Sequence, residues 1–397
     1  MASALDNVKV VDLTRTLAGP FCTMHLGDMG ADVIKVEEPE TGDETRGWTP
    51  FWNGVGSHFL SFNRNKRSLA LNLKKKEGVE IVLGLAAKAD VMVESFRTGA
   101  LDRMGLGYEA VRRVNSRIVY CSISGYGQKG PMAGKAAYDG AIQAASGMMS
   151  VTGTPDSGPL RVGYMSVDIP TGLTAAFAIA SALFRRGHTG MGQHLDVAML
   201  DCAMTLLNPN IARYLMTGLT TERMGNASPT NQGTGDTWAT KDGHIQMTVI
   251  TDAMTAKMCA AFERADLAKD PRFATTEGRV EYKAEIKLII GEILATKTTA
   301  EWIASLGPAG VPVAPVHSIE QLMAFPQLDH RGVMMTMPAP PGMDGEIKAV
   351  GAGFHASNGE PEGRSPGPLL GQHTNEVLTE IGFDDSAIKS FHENGVI

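Results

Sequence analysis

The run 8-VKVVDLTRTLAGPFCTMHLGDMGADVIKVE-37 decides the fold class. Residues 8–13 are a short β-branched strand, Gly19-Pro20 opens an amphipathic stretch, and residues 31–37 are a second strand. Short apolar strands flanking a helix predict a βαβ unit and hence a parallel sheet. A dinucleotide-binding domain is the first candidate for such a start, with Glu37 ending the second strand. That fold needs G-x-G-x-x-G in the turn so that backbone can approach a pyrophosphate. The turn here, 14-TRTLAGP-20, has one glycine, followed by a proline that offers no N–H to a phosphate. NAD and FAD are therefore set aside.

Further strand–helix pairs follow. Residues 77–89 read as helix and 90–94 as strand; a helix ends at 111–115 and a strand covers 117–124. The Gly-rich loop 125-GYGQKGP-131 comes next, then a long Ala-rich helix from Asp168 and a strand at 192–197. After Gly218 the character changes. The segment 225-GNASPTNQGTG-235 has loop composition, and two strands, 237–240 and 244–250, flank the turn Lys241-Asp242-Gly243. Helices near 252–263 and 280–296 and a strand at 310–316 complete a second, smaller α/β domain, taken as 225–326 with linkers at 206–224 and 327–345. The Pro/Gly-rich stretches 338–345 and 357–368 read as extended connections, and 374–383 as a helix capped by Thr374.

Composition sets the outer limits. A chain of 397 residues holds about two or three domain-sized units. Apolar content of 43% and charged content of 20% fit a globular protein. A net charge of −7 gives no general reason to bind nucleic acid or an anionic membrane. Cys22, Cys121, Cys202 and Cys259 are scattered, without metal-ligand or disulfide-framework spacing. The start has no signal-peptide pattern and no apolar run is long enough to span a membrane, so a cytoplasmic protein is expected.

The stretch 163-GYMSVDIPTGLTAAFAIASALFRRG-187 carries one acid at the head of its apolar run, Asp168. Aspartate is a favoured helix N-cap, and position alone leaves cap and catalyst both open.

Eight stretches taken together go further: 11–37, 42-GDETRGW-48, 62-FNRNKRSLALNLK-74, 90-DVMVESFRTGALDRMGLGYE-109, 123-ISGYGQKGP-131, the Asp168 stretch, 189-TGMGQHLDVAMLD-201 and 369-LLGQHTNEVL-378. In this order they resemble the class III coenzyme A transferases, which include formyl-CoA:oxalate, succinyl-CoA:glutarate and carnitine CoA-transferases. The resemblance implies a Rossmann-like large domain, 1–205 completed by 330–397, with the small α/β domain between, in an interlocked homodimer. It places Asp168 at the family's catalytic aspartate, which exchanges acyl groups through covalent aspartyl intermediates. Coenzyme A and acyl-CoA are then substrates, with small carboxylic acids, and no tightly bound cofactor, metal, nucleic acid or membrane is required. By the same match Leu17 and Ala18 line the CoA entry, and Leu71, Asn72, Lys74, Ser95, Phe96, Arg97 and Arg103 lie along it. Ala136, Tyr138 and Asp139 complete its near side. Glu38 departs from the pattern, standing where the oxalate enzyme has an arginine.

The block 11–48 looks most like succinyl-CoA-dependent dicarboxylate transferases. A dicarboxylate needs a cation for its non-reacting end; Arg46, with Trp48 shaping the pocket, and Arg161 are the candidates, and either could instead be a structural ion pair. Two other readings stand beside this one. The α-methylacyl-CoA racemases carry an aspartate at the same place, but pair it with a histidine where 137-AYDG-140 has Tyr138, a poor proton shuttle near neutral pH. A non-catalytic CoA-binding protein would keep the fold without needing Asp168.

Overall fold

The structure is a computed structural model that describes residues 3–397. Its chain divides into two compact units: residues 3–149, 161–221 and 329–397 form the first, and 150–160 with 222–328 the second.

The first unit is built on six parallel strands: β1 (Lys9–Leu13), β2 (Asp32–Glu37), β3 (Lys66–Ala70), β4 (Val91–Glu94), β5 (Val119–Ser124) and β6 (Gln193–Ala198). Their order across the sheet is β3-β2-β1-β4-β5-β6, that of a doubly wound dinucleotide-binding sheet. The chain winds outward in one direction from β1 and then in the other from β4, so a crevice opens above the β1/β4 boundary. Helices cover both faces: α1 (Ala18–Asp28), α2 (Lys76–Lys88), α3 (Asp139–Ala145), α4 (Asp168–Thr189), α5 (Thr374–Ile381) and α6 (Asp385–Glu393). Alternate strand residues serve opposite cores. Val10, Val91, Val93 and Val119 pack against α1 and α4 through Cys22, Leu26, Ala175 and Ile179. Val11, Leu13, Met92 and Tyr120 pack against α2, α5 and α6 through Val82, Leu85, Val377, Leu378 and Ile388.

Gly19 serves packing in the β1–α1 turn. A Cβ at that position would collide with the Thr14 side chain. Beneath the turn lies a buried charge array. Asp12 accepts from the Lys66 ammonium (3.0 Å), both Thr14 donors and Thr23, while Lys35 donates to the Thr14 carbonyl and to Asp43 (2.9 Å). Burial alone would push the Asp12 carboxyl up, but Lys66 and Lys35 hold it below the usual carboxylate range.

The second unit pairs the strands Gly235–Ala239 and His244–Thr248 antiparallel about Lys241-Asp242-Gly243, with Val313–Pro315 on the other edge. Its own core gathers Trp238, Met247, Phe262, Ile290 and Trp302. Among the described residues no helix is long and apolar enough to cross a membrane, and no three His, Cys, Asp or Glu side chains cluster as metal ligands.

Several expectations are corrected. Residues 150–160 join the second unit, tied by Gly225 N–H to the Gly153 carbonyl and by Arg223 to Thr154. The 206–224 linker carries the helix Asn208–Thr217. The 327–345 linker carries most of the helix Pro326–Arg331 and the strand Met334–Pro338, which pairs with Glu346–Val350 across the turn at 338–345. Thr374 does not cap its helix; its hydroxyl accepts the Ala70 N–H (3.0 Å). The charged run 62–68 turns inward, with Arg64 buried against Asp28 (2.6 Å) and Lys66 against Asp12.

Candidate active site

A cavity of about 490 Å³ opens at the carboxyl ends of β1, β4, β5 and β6. Open α/β sheets place their ligand sites at this topological switch point. Its walls are the turn 15–19 after β1, 95–98 after β4, 123–126 around the end of β5, Met199 after β6, Thr41, Gly42 and Glu44 beyond β2, and the strap 134–138. Asp168 lies inside, and the cations Arg15, Arg97 and Lys135 stand around it.

Asp168 opens α4 but does not cap it. The cap comes from α3. Asp139 accepts the N–H groups of Val167 (2.8 Å) and Asp168 (3.1 Å) on one oxygen and the Gln143 amide on the other (2.5 Å). Gln143 in turn accepts the Val162 N–H (2.9 Å), so the whole approach to α4 is fixed from α3. The Asp168 carboxylate is left with no hydrogen-bond partner among the described residues, although its residue is only 9% exposed. Burial, and then the negative charge of Asp139, push its pKa up to about 7. The N-terminal peptide dipoles of α4 act in the opposite sense, favouring the ionised form.

α1 and α4 bring the turn and the acid together. A Cβ at Gly172, one helical turn beyond Asp168, would stand 2.7 Å from the Ala18 carbonyl oxygen, so only glycine allows this approach. Leu17 and Ala18 thereby line the same cavity as Asp168.

Of the residues the sequence suggested, Leu17, Ala18, Ser95, Phe96, Arg97, Ala136, Tyr138 and Asp168 share the cavity. Others stand elsewhere. Leu71 is in the hydrophobic core, Asn72 is tied to the Gly395 carbonyl and the Lys74 N–H, and Lys74 and Arg103 are exposed outside the cavity wall. Asp139 does not line the cavity; both its oxygens are spent on the Asp168 segment and Gln143. Of the two readings left open for Arg46, the structure shows the ion pair. It grips Glu37 through two bonds (2.9 and 2.6 Å), donates to the Pro368 carbonyl (3.0 Å), lies over the Phe59 ring and is not part of the cavity wall. Trp48 packs edge-on against His58 outside the cavity. Arg161 is exposed beside Gly140, with no ion pair among the described residues. Sequence reasoning missed Arg15, Lys135 and the 41–44 loop. A signal existed for Arg15, a cation inside the very turn that lacks the dinucleotide glycines.

The sheet and its cavity define a class: an α/β protein holding an unengaged carboxylate in a cation-lined crevice. The chain belongs to CoA-transferase family III, whose family model matches residues 5–374. It is 39% identical to a succinyl-CoA:glutarate CoA-transferase of Mus musculus, over 99% of this chain and 90% of that protein. It is 35% identical to a succinyl-CoA:mesaconate CoA-transferase of Haloarcula marismortui, over 96% of this chain and 97% of that protein. A CAIB/BAIF family protein from Brucella suis has the same fold, with a TM-score of 0.87 at 37% identity, covering 96% of this chain and all of that one.

Proposed function

We propose that this enzyme moves coenzyme A from succinyl-CoA to a dicarboxylic acid, with Asp168 as the covalent nucleophile. The observation that carries the reading is the Asp168 carboxylate, buried in the cavity with no partner, at a helix start capped by another residue. The relatives named for succinyl-CoA and dicarboxylates support the substrate class.

The chemistry balances without water or external protons. The Asp168 carboxylate attacks the thioester carbonyl, the C–S bond breaks, and CoA leaves as thiolate from a mixed anhydride. The thiolate attacks the aspartyl carbonyl, releasing succinate and forming an aspartyl–CoA thioester. The acceptor carboxylate attacks that thioester and expels the thiolate. The thiolate then attacks the new acyl carbonyl, giving the product acyl-CoA and restoring Asp168. Each exchange is a short acyl transfer between groups already held together. N–H groups at the start of α1 suit the oxyanions that form, those at the start of α4 being taken by Asp139 and the preceding turn. Arg97 and Lys135 suit the CoA phosphates. Tyr138 lines the same cavity as Asp168, at the position where racemisation would need a proton shuttle and transfer does not.

We also propose the interlocked homodimer that the family resemblance implies. Hydroxylamine added after succinyl-CoA should convert Asp168 to its hydroxamate, located by peptide mass spectrometry. Steady turnover with no modification at Asp168 would remove the covalent mechanism.

A further inference from the structure

Arg46 is paired with Glu37 and stands outside the cavity wall, so the cation for a dicarboxylate's free end is sought among the wall's own, Arg15, Arg97 and Lys135. Arg15 is held in place twice. Its backbone N–H donates to the Ser95 hydroxyl (2.9 Å), and its guanidinium lies over the Phe96 ring, 4.8 Å from the centroid. The next residue, Thr16, is in the left-handed region at φ 73°, fixed by its hydroxyl donating to Glu44 (2.5 Å) and its N–H to Asp43 (3.4 Å). The turn is therefore constrained on both sides of Arg15. Its guanidinium nonetheless has no acceptor among the described residues. Glu44, a carboxylate lining the same cavity, is engaged by Thr16 instead. A solvent-exposed planar fork, stacked on Phe96 and with no acceptor among the described residues, fits a planar carboxylate.

Two anions compete for that fork: a CoA phosphate and the free carboxylate of a dicarboxylic acid. Placement favours the acid. Arg15 belongs to the turn that runs directly into Leu17 and Ala18, which Gly172 seats against the first turn of α4, beside Asp168. Arg97 instead leads away toward the helix Ala100–Met104 and Arg103, where paired cations suit phosphate. Succinate leaving and a dicarboxylate arriving occupy the same ground in turn, so one cation serves both.

We infer that Arg15 binds the non-reacting carboxylate of the departing and incoming acids and so sets the enzyme's preference for dicarboxylates. This rests on the transferase reading above. The test compares glutarate with glutaramate, in which one carboxylate is replaced by a neutral amide of the same shape, using succinyl-CoA as donor. The native enzyme should prefer glutarate. Arg15→Gln should lower kcat/KM for glutarate roughly tenfold to a hundredfold while glutaramate changes by about twofold or less. Arg15→Lys should keep part of the preference. The Kd of free CoA, which has phosphates but no second carboxylate, should stay within about twofold and also reports a folded site. An unchanged glutarate preference in Arg15→Gln would overturn the inference, and so would a loss confined to CoA affinity, which would assign Arg15 to phosphate. A native enzyme that transfers CoA to neither acid would overturn the transferase reading itself, and is told apart because it appears before any substitution.

Discussion

Asp168 destabilises the fold where it stands. Moving its pKa from the usual carboxylate value of about 4 up to about 7 corresponds to roughly 4 kcal/mol at most. The sign follows from linkage. Below about pH 4 the carboxyl is protonated in both folded and unfolded chains and carries no penalty. Between about 4 and 7 the unfolded chain ionises first, so stability falls as pH rises, and the full penalty persists above 7. Asp168→Asn should therefore abolish transfer yet raise Tm at pH 8, with the gain shrinking as the pH is lowered toward 4. A variant less stable than the native enzyme at pH 8 would mean the carboxylate has a partner in solution. The nucleophile must be ionised, so kcat/KM should rise with pH up to about 7 and level off beyond it. Asp139→Asn removes the negative neighbour and should move that midpoint down; a midpoint unmoved or raised would rule out Asp139 as a cause. None of this was legible in the linear chain. The sequence identified Asp168 as cap or nucleophile, but the residue that frees it from capping lies 29 positions upstream. Likewise Arg46 in 42-GDETRGW-48 stayed open between substrate contact and ion pair, because nothing local reveals its grip on Glu37 and on the Pro368 carbonyl.

At the scale of elements, two helices do the positioning. α4 brings the acid and α1 brings the turn, and their spacing is set at Gly172 by the Ala18 carbonyl. Gly172→Val should push the helices apart and move Asp168 relative to Leu17 and Ala18. A misplacement of about an ångström costs on the order of a hundredfold in rate, so kcat should fall steeply while the Kd of free CoA changes little. Full activity in Gly172→Val, measured beside its CoA affinity, would show that the spacing is not what aligns the site. The strands β1, β2, β4 and β5 were readable because strands buried on both faces appear as nearly unbroken apolar runs, whereas the edge strand β6 alternates between exposed and half-buried residues over its first four positions. β3 was not. Its sequence opens Lys66-Arg67-Ser68, which looks like surface until Asp12 is seen compensating Lys66 in the interior and Asp32 meeting Arg67 (2.7 Å). The order of the strands also lay beyond sequence patterning, since periodicity reports which residues are buried and not which strand is the neighbour.

The whole molecule leaves apolar surface that one chain does not cover. On α4, Phe177 is 75% exposed and Phe184 74%, with Leu173 on the same side, and the helix Asn208–Thr217 buries none of its residues although Tyr214, Leu215 and Met216 are large and apolar. Exposed apolar side chains of this size on two helices are what the proposed dimer would cover. The chain path adds a topological condition. The first unit is made of separate segments, and its final segment is locked in place: Val396 is buried in the core, its carbonyl accepts the Asn72 N–H (2.8 Å), and Arg67 ties Glu376 and Glu380 to the sheet. The excursion through 222–328 is thus closed into a loop by packing at its return. Two such loops that fold through one another cannot part unless one of these closures opens. Sedimentation should then give about twice 42.2 kDa, with no monomer appearing on dilution. Mass alone does not separate interlocked from merely docked subunits; exchange does. Two preparations carrying different affinity tags, mixed under native conditions, should form no mixed dimers over days, and should form them freely after unfolding and refolding together. Mixed dimers appearing within hours in native buffer would leave a dimer but remove the interlocking, because docked subunits trade partners by simple dissociation whereas linked ones must first undo the packing of Val396 and the C-terminal helices.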